Sequence, residues 1–401
     1  MKSRSILTIT LTCICLILTG CRYRNHQEWS EYACLDSSKI YFLNFEQNLK
    51  NPPTDTFVIN SIAKNITFVP LETSSTALLS IINFMVHKIN DCYYVSSMAS
   101  STFSGIIEFD STGRFKNHLV QVGRGPKELS IRFTWSYNNN TQQLVASSPY
   151  EMLLHSFEKS STKKYSLTEF FFRGYPLNDG TFVGLPSIVG TGETDTPYLS
   201  FLDREGVLIK SLYYTQKRNS LYNLMENQGD VGPLETYGLY PSYAGDALFK
   251  DMFNDTIYRV RSMDDIEPYI IIHRGLLTPK VKESIDRAAK AKTVIIRGIL
   301  DSEKYVFVLY GYRNAMYNAI WDKQTQMLIA NTEADYRNNT AVINNTGFTK
   351  YRTPNGNEIL IGISNIFDGK LYCALRASQA MEFLPDIDEY DNPVLMVIEL
   401  Q

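Results

Sequence analysis

From Phe57 onward the chain alternates short apolar runs with Gly, Asn, Asp and Pro turns. Ile66 to Val69, Tyr93 to Val95, Gln143 to Ala146, Ile257 to Val260, Tyr305 to Tyr310 and Val394 to Leu400 are typical. These runs are rich in β-branched and aromatic residues and short for helices, so they predict strands. Many short strands punctuated by turns predict an all-β body: a sandwich, a barrel or a propeller.

A loose repeat separates these options. Ile107-Glu108-Phe109-Asp110-Ser111-Thr112-Gly113-Arg114-Phe115 reads as strand, turn, strand, and Leu202-Asp203-Arg204-Glu205-Gly206-Val207-Leu208-Ile209 has the same shape. In each, a glycine three residues after an aspartate can take positive φ and close the loop. Asn178-Asp179-Gly180-Thr181 and Phe367-Asp368-Gly369-Lys370 predict a tighter Asp-Gly turn. Hairpins recurring from the start of the body to its end favour a six-bladed β-propeller. A pair of β-sandwiches would also carry hairpins. Six units over residues 55–401 give roughly 58 residues each, more than familiar propeller repeats, so insertions are expected.

One insertion is helical in pattern. After Thr278-Pro279, the residues Val281, Ile285, Ala288 and Ala289 fall on one side, and Lys280, Lys282, Glu283, Asp286, Arg287 and Lys290 fill the rest. Thr278 can cap and Pro279 suits the first helical position, which predicts a short helix over about 279–291.

The beginning of the chain has a different texture. Lys2 and Arg4 precede an apolar run from Ile6 to Leu18, and Leu18-Thr19-Gly20-Cys21 follows. This pattern closely resembles the bacterial lipobox, with Cys21 as the lipidated residue after cleavage. The apolar run is short for a transmembrane helix. Residues 1–20 therefore read as a lipoprotein signal peptide, 21–54 as a lipidated N-terminus and tether, and 55–401 as the propeller. The Ile40 to Phe45 patch is either part of the tether or already a strand of the body. Behind Cys21 stand Arg22 and Arg24 and no acidic residue until Glu28, where surface-displayed lipoproteins of the Bacteroides type carry acidic residues; by that resemblance the periplasmic face of the outer membrane is favoured over the cell surface.

Composition narrows the function. The 401-residue chain has 39 basic and 42 acidic residues and no dense basic stripe, so no nucleic-acid partner is indicated. Its 26 Tyr and 21 Phe suit strand surfaces or aromatic binding platforms. Beyond the leader and Cys21, the cysteines Cys34, Cys92 and Cys373 have no close spacing. They are buried thiols, or two of them form a disulfide.

Several stretches resemble the Bacteroides six-bladed β-propeller lipoproteins, with NHL-like blades. They are Phe68-Val69-Pro70-Leu71-Glu72-Thr73, Gly105 to Phe115, Val122-Gly123-Arg124-Gly125-Pro126-Lys127-Glu128-Leu129, Asn254 to Val260 and Asp391-Asn392-Pro393-Val394. The resemblance spans about residues 57–401 and implies a propeller in the cell envelope, without implying an activity. It also implies that an N-terminal strand closes the last sheet, with Thr56 to Ile59 as the candidate beside Val394 to Leu400.

Candidate chemistry is sparse. The glycines of Gly123-Arg124-Gly125-Pro126 permit tight backbone, and Arg124 can offer a bidentate fork to a carboxylate or phosphate. Arg124 can equally serve a blade connection by bonding a nearby carboxylate or carbonyl. Gly229 to Glu235 faintly echoes this loop without the arginine. The histidines His26, His87, His118, His155 and His273 have no ligand spacing, and Asp386, Asp388, Glu389 and Asp391 lack the calcium-loop pattern, so no metal site or cofactor is assigned. Trp29, Trp135 and Trp321 read as packed aromatics or stacking surfaces. Asp255-Thr256-Ile257 resembles a short O-glycosylation motif and equally an ordinary turn into a strand. No Gly-x-Ser-x-Gly elbow is present, and no catalytic residue is identified. The expectation is a binding or scaffold module for a glycan or envelope protein, tied to the membrane by lipid on Cys21. The alternative is a metal-assisted hydrolase or lyase working in the propeller channel.

Overall fold

A computed structural model describes residues 40–401 apart from 51, 54–55, 100–101, 104, 168–170, 187–196, 214–237, 252–253, 279–291, 314 and 335–345. The leader, Cys21, His26, Trp29, Cys34, the 229–235 stretch and the helix expected over 279–291 lie outside the described residues.

Among the described residues, six blades of four antiparallel strands each follow one another in chain order. Blade 1 holds Met85–Ile89, Cys92–Ser96, Ile106–Phe109 and Phe115–Val122. Blade 2 runs from Thr134–Asn138 to Ser161–Ser166, and blade 3 from Phe171–Pro176 to Leu208–Tyr213. Blade 4 runs from Gly238–Pro241 to Asp265–His273, and blade 5 from Ile295–Asp301 to Leu328–Ala334. Blade 6 holds Gly347–Arg352, Glu358–Phe367, Lys370–Leu375 and Val394–Leu400. First strands of neighbouring blades pack on one another, so the sheets make a six-bladed all-β propeller. Its helical insertions among the described residues are single turns, such as Ala377–Ala380 inside blade 6.

The hairpin reading of Asp110 and Asp203 is realised in detail. The Asp110 carboxylate accepts from the N–H groups of Thr112 and Arg114, and Gly113 N–H returns to the Asp110 carbonyl. Asp203 repeats this with Glu205, Val207 and Gly206. The same backbone closure recurs over 177–181, 242–246 and 353–357, always between first and second or third and fourth strands. Asn178-Asp179-Gly180 thus departs from the tighter turn expected of it. Gly180 alone takes positive φ, and Leu177 pairs with Thr181 around it. Asp368 and Gly369, both at positive φ, make the two-residue turn that the sequence predicts.

Ring closure also differs from expectation. The strand paired with Val394–Leu400 is Ala63–Pro70, not one including Thr56 to Ile59. Ile59–Ile62 forms a 3-10 turn. Ile59 and Ile62, three apart, fall on one side of such a turn, and both bury into the blade 6 core. The resemblance stretches explain the closure. Asn392 donates to the Glu72 and Ala77 carbonyls and accepts from Leu79 N–H. Its own N–H goes to the Thr73 hydroxyl, which donates to Asp391. Glu72 then ties blade 1: its N–H meets the Gly113 carbonyl, and its carboxylate takes Phe115 N–H. A Cβ on Gly113 would lie 2.0 Å from the Pro70 carbonyl, so only glycine fits beside this latch.

The apolar core lies mainly in the seams between blades. One cluster joins Ile89, Tyr94 and Ile106 of blade 1 to Trp135 and Tyr137 of blade 2. Trp135 and Trp321 are packed aromatics, each about fully buried. Of the two readings of the Ile40 to Phe45 patch, the strand is the one observed. Tyr41–Asn44 adds in parallel to the outer strand of blade 4. Leu43 and Phe45 bury in the blade 4–5 core, where the Phe45 ring meets Tyr310 and Trp321. Each such burial contributes about 1.5–3 kcal/mol, which fixes this N-terminal strap across the seam.

Candidate functional site

The strap covers a seam with unusual polar content. Asp301 ends the first strand of blade 5, where Ser302 turns the chain back to Tyr305. Lys323 follows the third strand, Ala315–Asp322. Folding sets Lys323 Nζ 2.7 Å from the Asp301 carboxylate, with both side chains buried. The ammonium also donates to the Tyr269 hydroxyl and the Ser302 carbonyl. All three of its protons are thereby engaged. Rings of Tyr41, Tyr243 and Tyr269 surround it at 4.9, 4.5 and 5.4 Å. Burial pushes the Asp301 carboxyl up and the Lys323 ammonium down, and each is countered by the other. The three hydrogen bonds to Lys323 favour the ion pair.

Beside this pair lies Arg259, on the third strand of blade 4. Its guanidinium carbon is 3.9 Å from the centre of the Tyr269 ring. The side chain is only 10% exposed, yet Nε and Nη2 are buried without a hydrogen-bond partner. Asp246 is the nearest carboxylate, at 3.7 Å from Nε, beyond hydrogen-bond reach. Asn178 holds the other Asp246 oxygen at 2.9 Å, and the Ser242 hydroxyl accepts from Asp246 N–H. Burial raises the Asp246 pKa, with Arg259 and Arg261 opposing. Over this group sits Tyr243, 47% exposed, its N–H bonded to Asp301. The arrangement is a buried polar cluster flanked by aromatic faces, in which two Arg259 donors lack a hydrogen-bond partner.

Asparagines tie the neighbouring blades. Asn138 of blade 2 donates to the Pro176 carbonyl of the blade 3 hairpin and the Gly245 carbonyl of the blade 4 hairpin. Asn140 also reaches Asn178 and the Ala244 carbonyl. The first hairpins of three blades are therefore drawn together, which fixes the loop that carries Tyr243.

The residues singled out from sequence are scattered. Gly123 and Gly125 wrap the carboxylate of their own loop's Glu128. Gly125 N–H donates to it at 2.7 Å, and a Cβ on Gly123 would collide with it. Arg124 is exposed and makes no hydrogen bond or ion pair with a described residue. His87 is buried against Trp135, Tyr137 and Phe367, and burial lowers its pKa to about 3. His118, His155 and His273 lie apart from it and from each other along blades 1, 2 and 4. Asp391 serves the closure latch. Asp255 pairs with the buried Arg274, which occupies the carboxylate of the Asp255-Thr256-Ile257 stretch. Cys92 and Cys373 are free thiols. Among the described residues, no three His, Cys, Asp or Glu side chains group to hold a metal ion. The seam residues escaped sequence reading because Tyr41, Asp246, Arg259, Tyr269, Asp301 and Lys323 stand far apart and each resembles an ordinary strand end or turn.

Residues 40–399 match the model of a family described as a domain of unknown function, DUF4934. No curated protein matches the chain. Among solved structures, an exported protein from Bacteroides fragilis aligns with a TM-score of 0.61 at 17% identity, covering 90% of this chain and 99% of that one. A member of the DUF4221 family from Bacteroides vulgatus aligns with a TM-score of 0.49 at 12% identity, covering 85% and 97%. The first likeness agrees with the ring seen here.

Proposed function

The chain belongs to the DUF4934 family, and from that premise we propose that it is an envelope-anchored binding or scaffold module for a glycan or protein partner. The observation that carries this reading is the polar cluster in the blade 4–5 seam. It has a half-exposed Tyr243 above and a buried Arg259 with two unspent donors below. A few convergent polar groups beside an exposed aromatic face are what a recognition site needs. A metal-assisted hydrolase or lyase has no grouped ligands to build on among the described residues. The exposed Arg124 is a second proposed contact, on the connection between blades 1 and 2.

The envelope location rests on the lipobox-like Leu18-Thr19-Gly20-Cys21. The similar B. fragilis protein is described as exported, which supports it. Lipid on Cys21 tethers the ring, and Arg22 and Arg24 favour the periplasmic face. Two measurements test the reading. Cells fed labelled palmitate should label the wild-type protein and not Cys21→Ser. The soluble Cys21→Ser chain, lacking the leader, should bind saturably on a glycan array or capture a reproducible envelope partner on cross-linking. Neither outcome from the folded protein would refute the binding module.

A further inference from the structure

We propose that Tyr243, Arg259 and Asp246 form a subsite for a neutral sugar residue that presents two adjacent hydroxyls. This rests on the glycan branch of the reading above and names the ligand class. The two unpaired donors of Arg259, Nε and Nη2, lie on one edge of the guanidinium. That edge is the fork which meets two acceptor oxygens side by side. The neighbouring cations have no such spare edge. Lys323 spends its protons on Asp301, Tyr269 and Ser302, and Arg261 is engaged by Asp265 and Glu267.

Charge selects between a carboxylate and a hydroxyl pair. Asp246, Asp265, Glu267 and Asp301 face Arg259, Arg261 and Lys323 here, so acids outnumber bases. An added carboxylate on the fork would lie against Asp246, and like charges repel. A hydroxyl pair has no such conflict. Its oxygens accept from the fork, and one hydroxyl proton turns to the Asp246 oxygen that stands 3.7 Å from Nε. Asn178 fixes Asp246 at that spacing and keeps it from closing on the arginine itself. Tyr243 supplies the remaining element, an exposed aromatic face for the C–H side of a sugar ring. Its backbone is pinned by Asp301 and by the Gly245 turn at φ +83. Both fork donors are buried in this structure, so the proposal requires the half-exposed Tyr243 side chain to turn aside for the ligand.

Saturation-transfer NMR and titration calorimetry on the soluble Cys21→Ser chain test this. The probes are methyl α-mannopyranoside and methyl β-galactopyranoside, with glucuronic acid and inorganic phosphate as anionic comparators. A neutral sugar should bind, and Tyr243→Ala and Arg259→Lys should each weaken it at least tenfold. Lys keeps the charge and removes the fork, while Tyr243→Ala removes a half-exposed ring and leaves Lys323 its three hydrogen-bond partners. Thermal melting of both variants confirms that they fold. Tighter binding of glucuronate or phosphate than of either neutral sugar would overturn the hydroxyl-pair assignment. Unchanged affinity in both folded variants would overturn the subsite while leaving the glycan reading intact. Absence of binding by both neutral sugars overturns the subsite, whatever the glycan array retains.

Discussion

Blade 6 meets blade 1, and blade 4 meets blade 5, through seams of opposite chemistry. The first is held by a hydrogen-bonded latch built largely on backbone groups. Asn392 spends both amide donors and its carbonyl on backbone groups of residues 72–79, and Thr73 and Asp391 complete the latch. The second is charged, strapped by Tyr41–Asn44, and keeps unspent donors on Arg259. A ring needs one seam that locks its two chain ends, and short-range motifs near each end suffice for that. Nothing in closure requires a buried Lys–Asp pair or an unpaired guanidinium edge. The contrast is what marks the 4–5 seam as a place for recognition.

The sharpest way to break the comparison is to remove Lys323. Lys323→Ala strands the fully buried Asp301 carboxylate, and losing one partner of a buried pair costs about 4 kcal/mol. Urea denaturation at neutral pH measures it. The double variant Lys323→Met with Asp301→Leu should recover most of that loss, since apolar replacement of a buried pair is often neutral or stabilising. Recovery of stability without recovery of sugar binding would separate the seam's recognition role from its structural one. A loss below about 1 kcal/mol in Lys323→Ala would mean that the pair is solvated and the seam less closed than described.

The latch should respond next. Asn392→Ala leaves the Glu72 and Ala77 carbonyls and Leu79 N–H without their partner. Unsatisfied buried groups cost about 1–3 kcal/mol each, and partial rewetting at this edge brings the expected total to about 3 kcal/mol. Hydrogen exchange should quicken first along Ala63–Pro70, the strand that the latch positions. Uniform exchange across all six blades instead would show that closure is held by the apolar core.

These seams also divide what the sequence makes legible from what it does not. Pro70-Leu71-Glu72-Thr73 and Asp391-Asn392-Pro393 stand out because each is a contiguous string whose side chains bond backbone nearby in space. The Asp110 and Asp203 loops are equally local, with every bond within four residues. Ring closure falls a few residues beyond Thr56 to Ile59, on Ala63–Pro70. Apolar content does not tell a strand from the 3-10 turn at Ile59–Ile62. The Arg259 cluster has no local signature at all. It needs Asp246, Tyr243 and Asp301 to arrive from other strand ends. Gly123-Arg124-Gly125 carried the stronger signal and serves chiefly to enclose Glu128.

His87 gives the smallest expected effect, and it tests the blade 6–1 side of the ring. It lies on the first strand of blade 1, buried among Trp135, Tyr137 and Phe367, with the Asn365 amide 3.4 Å from its ring nitrogens. Burial holds its folded pKa at about 3, against an ordinary value of 6.5. Between these values the unfolded chain carries the extra proton. Stability therefore rises with pH across that window and is lost as pH falls from 6.5 toward 3. One such group gives a slope of at most about 1.4 kcal/mol per pH unit. His87→Phe should flatten most of that slope in urea titrations between pH 4 and 6.5. His155, also lowered by burial, leaves a smaller residue. An unchanged slope in His87→Phe would mean that water reaches the imidazole, and the seam around blade 1 would lose its claim to be the dry one.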